Sequence, residues 1–322
     1  MSVWCVRLFF VDRVHFGSLG AGLENVEETL HSDSLYSALC HAWNARFGAS
    51  DLTGLIARFQ HDPPFLFSSA FLFLDDTFFL PKPLIPPAGV EQTELRREYA
   101  KRVQEAEYLT REHFAAWVQG KPFSLTELGK AAELMSRVYH KTLIPRVALG
   151  REDNRCEIFH VSLLRFAKNA GLYFLLRLAD ETLLPQLRAA LALLGELGLG
   201  GERAYGLGRF TVQLVQADSA WNFLADGAGP RVLTLALFCP PELDLDLIDE
   251  TCSYGLIERK GWIHSPFTYR QLKRKTVVMF TAGSVFSHPL QGQVLDVTPA
   301  AWDVVSSHPI YRFGLPFFVP TR

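Results

Sequence analysis

An α+β fold in two units of unequal size is what this sequence predicts. Three observations carry the expectation. The chain has 322 residues, about two domains' worth. It opens strand, loop, helix, and short apolar strands then alternate with helices instead of forming a run of either kind.

The elements follow in order. Residues 3–11 (VWCVRLFFV) are rich in β-branched and aromatic side chains, as in a buried strand. A glycine-bearing loop, residues 15–22, leads to Ser32, which sits where a helix N-cap belongs, with Asp33 placed in the first turn. Leu35, Leu39, Ala42, Trp43 and Arg46 recur at helical spacing up to Gly48, which ends the helix. Residues 65–80 read as short aromatic strands around the turn formers Asp75 and Asp76. Pro81, Pro83, Pro86 and Pro87 interrupt regular structure. Residues 91–117 then combine a charged face with Leu95, Tyr99, Val103 and Ala106, predicting an amphipathic helix. Two strands near 156–166 and 172–178, a leucine-rich helix over 183–194 with Pro185 in its first turn, and a strand over 209–215 complete the first unit.

Residues 217–230 (ADSAWNFLADGAGP) are small, polar and turn-forming, as in a linker. Beyond them, strands are expected at 232–238, 276–280, 293–297 and 311–319. With residues 81–137 set aside as a helical insertion, the first unit, residues 1–220, has the βαββαβ order of a ferredoxin-like motif. The second, residues 230–322, reads as a smaller, degraded copy of it.

Composition narrows the function classes. The chain is 48% hydrophobic and 20% charged, with 32 Lys+Arg against 34 Asp+Glu, a formal charge of −2. That balance excludes a polycationic nucleic-acid coat but allows one local basic groove. The 25 phenylalanines and low net charge exclude intrinsic disorder. Cys5, Cys40, Cys156, Cys239 and Cys252 are odd in number and form no CxxC pair, so neither a zinc site nor a disulfide framework is indicated, and reduced cytosolic thiols are expected. Neither a signal peptide nor an apolar run of membrane-spanning length is recognisable. A cytoplasmic protein with no membrane association, no cofactor and no small-molecule substrate is the expectation.

The most informative segment is GELGLGGERAYGLGRF, residues 195–210, between a helix and a strand. Its region 195–208 holds Gly198, Gly200, Gly201, Gly206 and Gly208, with Arg203 inside and Arg209 at its edge. Glycines allow main-chain N–H groups to converge on an anion, and arginines add charge-assisted bonds to phosphate. A Walker A loop would end in Gly-Lys-Ser/Thr and open a helix, and a dinucleotide loop would follow a strand. Neither order occurs here.

GLGGERAYGLGRF resembles the glycine-rich loop of the RAMP superfamily of CRISPR proteins. Further segments narrow the likeness: VHFGS at 14–18, HSDSLYSALCHAW at 31–43, SSAFLF…FFLPKP within 68–83, PRVALGREDN at 145–154, YGLIERKGWI at 254–263, GSVF at 283–286 and HPIYRFGLPF at 308–317. In this order, from about residue 6 to 319, they resemble the fourth Csm subunit of type III-A CRISPR effector complexes, which serve antiviral defence. The resemblance implies two ferredoxin-like (RRM-like) domains and a non-catalytic subunit that grips the repeat-derived 5′ tag of the guide RNA. It also implies docking on the large palm-domain, polymerase/cyclase-like subunit and on the backbone RAMP subunit. Target-RNA cutting belongs to the backbone subunit, and DNA cleavage and cyclic oligoadenylate synthesis to the large one.

His15 follows the first strand, where guide-processing RAMP endoribonucleases can keep a catalytic histidine, so such a nuclease with His15 as general base is the alternative reading. No second histidine or lysine pairs with it in an evident way, and an RNA contact suits His15 better. His31-Ser32-Asp33 opens a helix and does not form a triad, and His288-Pro289 and His308-Pro309 are turn formers. Positive charge concentrates in two segments. One, 141–168, holds Lys141, Arg146, Arg151, Arg155, Arg165 and Lys168; the other, 255–275, holds Arg259, Lys260, Arg270, Lys273, Arg274 and Lys275, with Trp262 and Tyr269 among them. The expected RNA site therefore comprises His15, Lys141, Arg146, Arg151, Arg155, Arg203, Arg209, Arg259 and Lys260 around Gly198, Gly200, Gly201 and Gly206, in a cleft between the two units.

Overall fold

The computed structural model describes residues 1–17, 22–88, 106–122, 125–149, 156–226, 229–265, 272–302 and 308–322. β1 (Ser2–Phe10), rich in apolar side chains, is an inner strand of the main sheet, bonded antiparallel on one edge to β8 (Ala170–Leu178) and on the other to the edge strand β9 (Phe210–Gln216). The sheet continues from β8 through β3 (Phe71–Leu74), β4 (Thr77–Pro81) and β5 (Tyr108–Thr110), with β2 (Phe65–Phe67) also bonded to β8. Nearly every residue of β8 is buried, because both sheet faces are covered.

Period-two alternation sorts the strand residues between two cores. On one face Val6, Leu8, Leu172, Phe174 and Leu176 pack under α1 (Ser32–Phe47) and α5 (Leu184–Leu197), through Leu35, Leu39, Trp43, Leu187, Leu191 and Leu194. On the other, Cys5, Tyr173 and Leu175 meet α3 (Arg111–Val118), Trp221, and residues of the C-terminal part such as Leu233, Leu235 and Val319. The remaining elements of the first unit are α2 (Ala49–His61), α4 (Leu125–Ser136), β6 (Tyr139–Leu149) and β7 (Cys156–Phe166). The last two form a long hairpin from Tyr139 opposite Phe166 to Leu149 opposite Cys156.

The C-terminal part is assembled from β10 (Arg231–Thr234), β13 (Val285–Phe286) and β16 (Phe318–Thr321) in one sheet. Two strand pairs complete it, β11 (Leu256–Arg259) with β12 (Val277–Phe280) and β14 (Gln293–Asp296) with β15 (Tyr311–Gly314). All these pairings are antiparallel, and among its described residues no α-helix occurs.

Several expectations need correction. Gly48 ends α1 at φ 90°, but α2 begins at the next residue. Of the helix expected over 91–117, residues 91–105 lie outside the described residues, Tyr108–Thr110 is a strand paired to β4, and only Arg111–Val118 is helical. The segment 139–149 is a strand, not merely a basic stretch. Of the linker expected over 217–230, residues 227–228 lie outside the described residues, and Ser219–Leu224 is packed into the core. Asp218 caps a 3₁₀ turn, Ser219–Leu224, whose Trp221, Phe223 and Leu224 are buried in the core shared by both parts. The strand expected at 232–238 stops at Thr234, whose hydroxyl takes the Ala236 N–H and bends the chain. That expected at 311–319 divides around Leu315-Pro316, since proline has no N–H to give a ladder. Ser32 is not the N-cap of α1. His31 holds that position, and the Ser32 hydroxyl accepts instead from Leu237 N–H at 2.9 Å.

Candidate nucleic-acid interface

The glycine-rich segment starts where α5 ends and folds back onto the loop that follows β1. Two of its glycines are required by backbone crowding. At Gly208, φ 79°, a Cβ would meet the Leu199 carbonyl oxygen at 2.0 Å; at Gly200, φ 89°, it would meet that of His15 at 2.3 Å. These close approaches consume much of the main chain's donor capacity. Gly201 N–H bonds His15 O at 2.8 Å, Leu199 N–H bonds Gly208 O at 2.9 Å, Gly206 N–H bonds Arg203 O at 2.9 Å and Gly208 N–H bonds Arg13 O at 3.0 Å. The expected cradle of free amides is smaller for that reason. Gly200 and Glu202, the latter at φ 59°, keep amides with no acceptor among the described residues.

Beside this loop lies a cleft of about 280 Å³. Its walls are Gly198–Gly201 and Arg203 on one side, the polar face of α1 with Ser34, Ser37 and His41 on another, and Ile257, Arg259, His264 and Arg274 from the C-terminal part. Glu27 is the acidic side chain on the lining, against three guanidinium groups. Arg203 is exposed and has no ion-pair or hydrogen-bond partner among the described residues.

The floor is an ionic clamp. Asp33, fully buried in α1, accepts two bonds from Arg259, Nε–Oδ2 and Nη2–Oδ1, each at 3.0 Å, and a third from buried Arg312. Arg259 also reaches Ser34 Oγ at 3.0 Å. Burial alone would raise the Asp33 carboxyl, but Arg259 and Arg312 outweigh it and hold it at about 2. Burial and then the neighbouring Arg312 lower Arg274 to about 10, so it stays charged at neutral pH; its buried Nε has no acceptor. Burial, followed by Arg259, lowers His31 to about 4. Burial also lowers His41 to about 4, helped by His264, Arg203 and Arg274. The cleft therefore presents fixed cations and neutral imidazoles, a surface suited to phosphates and to unpaired bases.

Five expected residues meet in this cleft: Gly198, Gly200, Gly201, Arg203 and Arg259. The others stand elsewhere. His15 is 3% exposed, and its Nδ1 pairs with the Ser162 carbonyl at 2.8 Å, a structural role in place of the expected RNA contact. Arg146 braces the loop from β6, at 2.8 Å from Glu202 and stacked 4.2 Å from the centre of the Tyr205 ring. Lys141 pairs with Glu28, Lys260 with Glu258 at 2.7 Å, and Arg209 faces Glu196 at 3.7 Å. Gly206 is outside the lining, and Arg151 and Arg155 lie outside the described residues. Sequence reasoning missed His41, His264 and the role of Arg274. The signal for one wall was present: Ser34, Ser37, Ala38 and His41 recur at helical spacing opposite the apolar stripe of α1.

Residues 228–321 match the family model described as the CRISPR Csm4 C-terminal domain. The "CRISPR system Cms protein Csm4" of Mycobacterium tuberculosis is 28% identical over 312 residues, covering 97% of this chain and 95% of its own. Among solved structures, a chain of the Csm3–Csm4 subcomplex of the type III-A CRISPR-Cas interference complex superposes with a TM-score of 0.67 at 18% identity, covering all of both chains. A chain of the Csm1–Csm4 cassette in complex with pppApA gives 0.65 at 21% identity, covering 100% of this chain and 98% of the other.

Proposed function

The chain belongs to the Csm4 family of type III-A CRISPR effector subunits, and from that premise we propose that it holds the repeat-derived 5′ tag of a guide RNA as a single strand in the cleft beside the glycine-rich loop. The observation that carries this reading is the convergence of Arg203, Arg259 and Arg274 on one cleft in a chain of net charge −2. Phosphates provide most of the affinity in such a site, and splayed bases provide identity. Arg259 is pre-oriented by Asp33, and Arg203 is free to turn toward a phosphate. The subunit binds and does not cut: His15, the candidate base, is buried with one ring nitrogen committed to a carbonyl.

The scaffold in this reading is ferredoxin-like in the first part and a degraded copy of it in the second, where no α-helix occurs among the described residues. In the first, β9, β1, β8 and β3 lie side by side, with α1 and α5 as the two connecting helices on one face. The subunit acts in the cytoplasm as an end cap, docking on a large palm-domain subunit and on a backbone RAMP subunit. The recorded assemblies of relatives, Csm1 with Csm4 and Csm3 with Csm4, support that assignment. Exposed Leu143, Val147 and Ile158 share one face of the β6–β7 hairpin and offer apolar area for such contacts.

Arg203→Ala tests the site. Binding of single-stranded repeat-derived RNA should weaken, and the log–log salt slope should flatten by roughly 0.7 for one lost phosphate contact. Unchanged affinity and slope across the salt series would remove Arg203, and the cleft with it, from the RNA path.

A further inference from the structure

The basic cleft adjoins a second cavity. Ser37, His41, His264 and Arg274 line both. The second, about 420 Å³, lies between α1, α2 and the C-terminal segments 263–265 and 308–311, with Phe313 also on its wall. Its size falls within the range of small-ligand pockets, roughly 300–1,000 Å³. The walls differ in kind from those of the cleft: Leu52, Ile56, Ile263, Ile310 and Phe313 are apolar, while Asn44 and Gln60 place amide groups among them.

We propose that this second cavity receives one unpaired nucleobase, extruded from a strand whose phosphates lie in the basic cleft, and that Asn44 reads its edge. The inference rests on the proposed function of the cleft and adds a ligand group and a specificity residue to it. Arg274 stands at the junction, where a backbone turning its base inward must bring a phosphate. Its buried Nε has no acceptor among the described residues, an uncompensated donor that an anion would satisfy. His41 and His264 meet at the same junction with ring centroids 5.5 Å apart, neutral aromatic faces against which a base can pack. Asn44, half-buried on α1, makes no side-chain hydrogen bond among the described residues. Its amide offers one donor and one acceptor from a rigid helix, the pattern that pairs with a base edge carrying both. An apolar peptide side chain would leave this amide and the Arg274 donor unsatisfied, whereas a nucleotide serves both.

The test uses the full chain, short 3′-fluorescein-labelled single-stranded RNAs of repeat-derived sequence, and the same RNAs with one abasic residue at each position in turn. In the unmodified protein, one abasic position should cost roughly 5- to 150-fold in affinity, the loss of a single stacked base. Ala57→Trp adds a large ring to the cavity from an exposed position of α2. It should weaken the intact RNA by a similar factor and erase the effect of that abasic position. Asn44→Ala should narrow the preference for one base there while phosphate-driven binding persists. If the abasic scan is flat and Ala57→Trp binds normally while Arg203→Ala still weakens binding, the cavity is not a base site and the cleft stands. If Arg203→Ala is also without effect, the RNA reading of the cleft fails and this inference falls with it.

Discussion

Asp33→Asn is the substitution that most sharply probes how the two parts are held together. The carboxylate is 1% exposed and accepts from Arg259 of β11 and Arg312 of β15, so one side chain of α1 bridges to two C-terminal strands. Asparagine keeps the shape and loses the charge, leaving two guanidinium groups facing each other with no counterion. Removing one partner of a buried pair costs roughly 3–5 kcal/mol, much of it the penalty of the stranded charge. Glu258→Gln is the natural reference, since it breaks only the half-exposed pair with Lys260, worth under about 1 kcal/mol. Urea unfolding followed by far-ultraviolet circular dichroism measures both. The dependence on pH should agree: the folded carboxyl at about 2 lies below its ordinary 3.8, so this contribution is full above pH 3.8 and lost as pH falls toward 2. An Asp33→Asn loss no larger than that of Glu258→Gln would refute the clamp.

Two further outcomes follow from the same geometry. His31 and His41, both lowered from 6.5 to about 4, stay neutral in the fold while the unfolded chain takes up protons below pH 6.5. Melting temperature should therefore be flat above pH 6.5 and decline between 6.5 and 4, and His41→Gln should shallow that decline; an unchanged profile in His41→Gln would exclude His41 as its source. Gly208→Ala places a methyl 2.0 Å from the Leu199 carbonyl oxygen at φ 79°, so thermal denaturation should show a loss of at least about 1 kcal/mol. A melting temperature equal to that of the parent chain would mean that the loop repacks without cost.

Much of the first unit was legible from local pattern. β1, α1, α5 and β8 announce themselves by apolar periodicity, and their faces are the ones that the cores bury. α2 was not read because Gly48 is a strong stop signal and the next turn, Ala49–Thr53, is largely polar, although Leu52, Leu55, Ile56 and Phe59 keep helical spacing. β6 escaped because its solvent-facing positions include Lys141 and Pro145 and break the apolar alternation of a strand. The glycine-rich loop was located correctly and its chemistry only partly, since glycines that permit a close approach also spend their amides on it. Arg259 shows the deeper limit. A basic cluster is visible in sequence, but its carboxylate partner is 226 residues away, and Asp33 looked like nothing more than a first-turn acid.

Whether guide RNA runs through the basic cleft of this subunit is visible in a cryo-electron-microscopy map of the assembled ribonucleoprotein. Continuous RNA density is expected between the glycine-rich loop and β11, with phosphates within hydrogen-bonding distance of Arg203 and Arg274. Density for the 5′ end of the guide seated on another subunit, with this cleft filled by a neighbour's side chains, would contradict it.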